Sequence, residues 1–206
     1  MIVKICGLLE PHDAEVAGGL GADMVGVVFA PSHRQRTLNQ ASDIFDAAPA
    51  HVERVGVFVN ETIAAVHEAI TACSLDRVQF GGVESPVYCR TFGSLAIKTM
   101  RLPKDGALFD DFNTHLFHLD TPSDKQAGGT GQPWDYALAQ GVAHSYRVLL
   151  GGGLTPSNVF NAIELARPYG VDVSSGVETN HKKDHDKIEL LIKNARSDLT
   201  FESTVT

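Results

Sequence analysis

Cys6 closes a short apolar run, Ile2-Val3-Lys4-Ile5-Cys6, and Gly7 follows it at once. Side chains of a strand alternate between faces, so Lys4 and Cys6 share one face and Val3 and Ile5 the other. A thiol at a strand end can act as base or nucleophile when a nearby cation favours its thiolate, and Lys4 is a candidate for that cation. The plainer reading of Cys6 is a small inert core residue. A second ionisable group, Asp120, ends the run His115-Leu116-Phe117-His118-Leu119. A carboxyl buried there would keep its proton and serve as general acid, whereas an Asp before Thr121-Pro122 also suits a turn that braces a loop. His118 shares the face of Asp120, as a second acid or base or, more simply, as a satisfied core histidine.

Two glycine clusters add anion-binding chemistry. Gly151-Gly152-Gly153-Leu154-Thr155-Pro156-Ser157-Asn158 follows one strand-like run and opens a helix, and Ser174-Ser175-Gly176-Val177-Glu178 follows the next. Glycine lets backbone N–H groups approach an anion, and a helix N-terminus adds partial positive charge. One such cluster is as readily a tight turn; two at successive strand ends point to a phosphate site. Arg34, within Pro31-Ser32-His33-Arg34-Gln35-Arg36, offers a bidentate fork for a carboxylate, or else is a solvated loop arginine. Gly128-Gly129-Thr130-Gly131 reads as a loop that folds over a substrate, with plain glycine flexibility as the alternative. His181-Lys182-Lys183-Asp184-His185-Asp186 has metal-ligand residue types but no matching second cluster, so it reads as a solvated helix start and no metal site is expected.

The elements that must position these groups alternate along the chain. Strand-like runs cover Ile2 to Cys6, Met24 to Phe29, Arg54 to Val59, Arg77 to Phe80, Ala96 to Thr99, His115 to Asp120, Arg147 to Leu150 and Val171 to Val173. Between them lie helical patterns at Pro11 to Leu20, Asn39 to Ala47, Glu61 to Thr71, Ser85 to Phe92, Trp134 to Gln140, Ser157 to Ala166 and Asp184 to Ala195, with only a turn of helix expected in Lys104 to Asn113. Repeated strand-helix units are the signature of a parallel sheet. An open doubly wound sheet places its glycine-rich turn after the first strand. Here the clusters follow the last two, which favours an α/β single-domain (β/α)8 TIM barrel over residues 1–196, lean against the roughly 250 residues typical of the class. Residues 197–206 read as a C-terminal tail.

The 206 residues are 43% hydrophobic and 20% charged with a net charge of -8, an ordinary composition for one folded core. The acidic balance and the lack of a basic stripe argue against nucleic acid as partner. Cys6, Cys73 and Cys89 form neither a CxxC pair nor an even set, which suits a reducing cytoplasm rather than a disulfide framework. No signal-peptide pattern and no apolar run of bilayer length is present, so neither secretion nor membrane insertion is expected.

Lys4-Ile5-Cys6-Gly7, Gly21-Ala22-Asp23-Met24-Val25-Gly26, Val55-Gly56-Val57-Phe58-Val59, Leu119-Asp120-Thr121, Gly128-Gly129-Thr130-Gly131, Gly152-Gly153-Leu154 and Val171-Asp172-Val173-Ser174-Ser175-Gly176-Val177-Glu178 occur in this order. Together they resemble the phosphoribosylanthranilate isomerase family of tryptophan biosynthesis, from Ile2 to about Ala195. The resemblance implies an Amadori rearrangement of N-(5-phosphoribosyl)anthranilate to the 1-deoxyribulose 5-phosphate product without metal or organic cofactor. It further implies Asp120 as general acid, Cys6 as general base, Arg34 on the anthranilate carboxylate, Asp172 in the pocket, and Gly152, Gly153, Ser175 and Gly176 around the phosphate. Two positions depart from the family pattern. Gly81 stands where the fourth strand commonly leads into a histidine, and Leu9 where the first loop usually carries a threonine; both changes remove polar groups from the expected mouth.

Two further readings stay open. The histidine-pathway aminoaldose isomerase runs the same rearrangement, but its doubly phosphorylated substrate calls for a second phosphate site that the first half of this chain lacks. A non-catalytic phospho-sugar-binding barrel is the alternative suggested by Gly81 and Leu9. Monomer and homodimer are both compatible with the sequence.

Overall fold

A computed structural model describes residues 1–102, 105, 108–112, 114–120 and 136–197. Eight parallel strands close into a barrel in simple sequential order: β1 (Ile2–Cys6), β2 (Met24–Val28), β3 (Glu53–Phe58), β4 (Arg77–Phe80), β5 (Ala96–Arg101), β6 (Leu116–Asp120), β7 (Val148–Leu150) and β8 (Gly170–Val173). Closure is made by β1 against β8, with Val3 opposite Val171 and Lys4 opposite Asp172. The single-domain (β/α)8 barrel expected from the sequence is the fold observed.

Among the described residues seven helices surround it: α1 (Pro11–Gly19), α2 (Leu38–Asp46), α3 (Ile63–Cys73), α4 (Pro86–Arg90), α5 (Tyr136–Ser145), α6 (Val159–Ala166) and α7 (His185–Ala195). Their starts follow local chemistry. Thr37, Thr62, Ser85 and Asp184 each accept a backbone N–H of the first turn, and Pro sits in the first turn of α1 and α4, where its missing N–H costs nothing. Between β5 and β6 the described residues hold only a short 3-10 turn, Phe109–Asp111, in keeping with the weak pattern there. Gly128 to Gly131 and most of the tail lie outside the described residues.

Strand alternation divides the core in two. Outward side chains such as Val3, Ile5, Val25, Val27, Val78 and Phe80 are buried against the helices. Inside the barrel, Met24, Val55, Ile97, Leu116 and Leu149 form a separate apolar plug with Ile2, from strand positions nearest the N-terminal ends. Above the plug the inward positions turn polar: Lys4, Gln79, Thr99, His118 and Asp172 are all buried. A substrate mouth therefore opens only at the C-terminal end of the strands, where such barrels place their sites.

Candidate active site

A cavity of about 350 Å³ lies at that end, and it is lined by all eight residues singled out from the sequence: Cys6, Arg34, Asp120, Gly152, Gly153, Asp172, Ser175 and Gly176. Its volume suits a small organic ligand. A smaller cavity of about 280 Å³, with Glu53, Arg77 and Arg147 in its wall, sits at the opposite end, where barrel residues serve stability rather than chemistry.

The floor of the site is one connected network. Lys4 Nζ donates to Asp172 Oδ2 at 2.9 Å and to Gln79 Oε1 at 2.8 Å. An ammonium only donates, so it fixes the amide of Gln79 with its NH₂ towards His118 Nδ1, 3.3 Å away. Nδ1, also 3.2 Å from the Thr99 hydroxyl, is then the acceptor, and His118 Nε2–H donates to Asp172 Oδ2 at 3.1 Å. His118 is thus a satisfied core histidine, as the plainer reading held. Gln79 and Thr99 were not legible as partners beforehand; the available signal was a polar residue inside an apolar strand at an inward position. Lys4 and His118 hold the Asp172 carboxyl far below the usual carboxylate range against its burial. Its Oδ1 is buried and has no hydrogen-bond partner among the described residues.

Cys6 is only 7% exposed. Burial pushes its thiol up from the ordinary value, and the opposing pull of Lys4 does not overcome it. Lys4, the candidate cation, does favour the thiolate, but desolvation outweighs it in the protein alone. Asp120 lies at the rim, half-buried rather than buried.

Arg34 is not a solvated loop residue. Its Nε and Nη2 make a two-bond fork with Glu178, both at 2.8 Å, and its stem crosses Gly7, where a Cβ would fall 2.5 Å from Arg34 Cδ at a backbone φ of +72°. A glycine is required there on both counts. Glu178 also accepts from Lys183 Nζ at 2.8 Å, and Lys183 donates to the Ser174 carbonyl at 3.0 Å. These two cations hold the Glu178 carboxyl down to about 2. Lys183 corrects the reading of 181–186 as a solvated helix start, since its side chain is wholly buried. The reason is a small antiparallel ribbon, Glu178–Thr179 on Lys182–Lys183, turned by Asn180 and His181 at positive φ, which sets Lys183 opposite Glu178. Only then does Asp184 cap α7.

The two glycine-rich loops meet directly. A Cβ on Gly176 would lie 1.7 Å from the Leu154 carbonyl oxygen, so the turn after β8 seats against the loop after β7 only as glycine. Gly152 and Gly153 hold φ of +79° and +73°. Gly152, Gly153, Ser175 and Gly176 all line the cavity, and no loop or turn hydrogen bond among the described residues takes their amides. The departures at the mouth are quiet. The backbone of Leu9 is held by Asp13 and Arg36, and Gly81 N–H donates to the Phe58 carbonyl while its carbonyl accepts from Arg101.

Fold and site together define a (β/α)8 barrel enzyme with two glycine-rich loops, a thiol and a carboxyl at its mouth. The model of the N-(5'-phosphoribosyl)anthranilate (PRA) isomerase family matches residues 3–194. The chain belongs to that family. It is 41% identical over 200 residues to the N-(5'-phosphoribosyl)anthranilate isomerase of Listeria welshimeri, covering 95% of this chain and 98% of the relative. A similar match, 41% over 202 residues, joins it to the enzyme of Desulforudis audaxviator, covering 96% and 99%. Among solved structures, phosphoribosyl anthranilate isomerase from Thermotoga maritima superposes with a TM-score of 0.85 at 38% identity, over 95% of this chain and 98% of that one. Another is an isomerase in complex with reduced 1-(o-carboxyphenylamino)-1-deoxyribulose 5-phosphate, with a TM-score of 0.82 at 37% identity over the same shares.

Proposed function

We propose that this barrel carries out the Amadori rearrangement of its family with Asp120 as general acid and Cys6 as general base. The chain is an isomerase of tryptophan biosynthesis acting on a phosphorylated small molecule. The observation that carries the residue assignment is that Cys6, Asp120, Arg34 and both phosphate loops open onto one cavity.

In this reading the amides of Gly152, Gly153, Ser175 and Gly176 hold the phosphate. The free edge of Arg34, whose other edge is fixed by Glu178, takes the anthranilate carboxylate. Asp120 gives its proton to the furanose ring oxygen; the C1′–O bond breaks and the nitrogen lone pair forms the C1′=N iminium. The positive nitrogen acidifies the C2′ proton, Cys6 as thiolate removes it, and the electron pair returns to nitrogen as the enolamine. Loss of the O2′ proton and gain of one at C1′ complete the ketone, so no atom is lost overall. Asp172 Oδ1, buried and unpaired, is the acceptor for a sugar hydroxyl. None of these steps calls on a metal or an organic cofactor.

The test is the decay of anthranilate fluorescence when purified protein meets freshly made phosphoribosylanthranilate, beside Cys6→Ala and Asp120→Ala. Turnover in the unaltered chain, lost in both variants, supports the roles; full activity in either variant removes that residue from its role, and no turnover in the unaltered chain favours a binding-only barrel. A reducing cytoplasm is the compartment we infer, since Cys6, Cys73 and Cys89 are all free thiols. No described helix is long and apolar enough to cross a membrane. The oligomeric state we propose is a monomer or a homodimer; a solved neighbour is described as monomers generated from a dimeric isomerase of Thermotoga maritima.

A further inference from the structure

A wholly buried lysine needs a reason. Lys4 is 0% exposed, and burying an ammonium costs several kcal/mol unless its charge and donors are met. Asp172 and Gln79 take two of its three N–H groups. Among the described residues no hydrogen bond takes the third. Lys4 and Cys6 occupy the same strand face, and both lean on Gly26, the residue opposite Cys6 in β2. A Cβ on Gly26 would fall 2.8 Å from Cys6 Sγ and 3.3 Å from Lys4 Cε. The bare glycine therefore keeps open the corner where thiol and lysine stem meet.

We propose that Lys4 is a positioning residue for the rearrangement: its buried ammonium, anchored by Asp172 and Gln79, is the counter-ion that receives the negative charge of Cys6 when the thiol ionises. The proposal rests on the assignment of Cys6 as the base.

Charge placement around the thiol supports it. Lys4, Lys183 and Arg34 are the cations that act on Cys6, while Asp172 is the anion that opposes them and Asp120 stands at the rim. Lys183 and Arg34 are both committed to Glu178. Lys4 is committed to Asp172, whose second cationic-side partner, the His118 N–H, shares the same Oδ2. Lys4 acts on Cys6 through its charge, and no other group opposes the desolvation of the thiol as much. Because Lys4 is also pulled towards Asp172, the ionisation of Cys6 is set by how the two anions share one ammonium. Substrate binding that engages Asp172 Oδ1 would hand more of Lys4 to the thiolate.

The sharing gives a test with opposite signs. Alkylation of Cys6 by iodoacetamide, followed as a function of pH on the Cys6 peptide by mass spectrometry, reports the thiol directly in the full chain. Asp172→Asn should lower the apparent Cys6 pKa, since Lys4 then faces the thiol alone. The decisive comparison is Asp172→Asn against Lys4→Met/Asp172→Asn, which differ only in the ammonium; the double variant should titrate about one pH unit higher, a tenfold smaller thiolate fraction at fixed pH. Lys4→Gln in the same background, which keeps a donor but no charge, should behave like Lys4→Met. Equal Cys6 pKa values with and without Lys4 would overturn the counter-ion. The acid limb of the kcat–pH profile separates the two assignments. If the alkylation pKa moves and that limb does not, Cys6 is not the base and Lys4 has no place in the reaction.

Discussion

Replacing Glu178 by Gln keeps the shape of the side chain and removes the one anion that two cations share. Arg34 holds it with two bonds and Lys183 with a third. The carboxyl sits at about 2 instead of 4.5, which corresponds to roughly 3 kcal/mol favouring its charged form in the folded protein. The Glu178 side chain is 6% exposed and that of Arg34 20%, so water screens part of the pair, and a loss of about 2–3 kcal/mol is expected at neutral pH. The folded pKa lies below the unfolded one. The stabilisation is therefore complete above about 4.5 and fades as pH falls towards about 2. Urea unfolding of both proteins at several pH values measures it: the gap should be widest near neutrality and narrow on acidification through that window. A gap below about 0.5 kcal/mol, the range of indifferent surface changes, or one that stays constant with pH, would refute the reasoning. In turnover, the same variant should raise KM more than it lowers kcat, because Arg34 loses the brace that aims it.

Other expectations come from close approaches. In Gly26→Ala the new methyl would stand 2.8 Å from Cys6 Sγ and displace the thiol; kcat should fall by about 10²-fold while a reduced product analogue still binds, as judged by fluorescence titration. In Gly176→Ala the methyl meets the Leu154 carbonyl oxygen at 1.7 Å and must part the phosphate loops, so KM should rise at least about tenfold, with a stability loss of about 1–3 kcal/mol in urea unfolding. Gly81→His should be tolerated, because a Cβ there meets Val59 and the Phe58 carbonyl no closer than 3.5 Å, ordinary contact distance. Its stability should stay within about 0.5 kcal/mol of the parent, and a lower KM for phosphoribosylanthranilate would show that the departure at this position weakens binding.

The barrel is legible in the local pattern of the chain. Short β-branched runs separated by helical patterns specify β1 to β8 within a residue or two at most ends, and glycine clusters behind the last two runs mark the C-terminal end of the barrel, because turn chemistry and strand alternation are local properties of the chain. Helix starts at Thr37, Thr62 and Ser85 are local as well. What the sequence could not decide is which charges meet. Lys4 and Asp172 are separated by most of the chain and become neighbours only because β1 closes on β8. Arg34 reads as a loop arginine until the ribbon after β8 brings Glu178 to it, and Lys183 reads as solvated until the same ribbon folds it inward. The ionisation of Cys6 follows the same logic. Its residue type and strand position are written in the first line of the chain, but the balance between desolvation and Lys4 is a property of the closed barrel, since Coulomb and solvation terms depend on distance through space and not along the sequence.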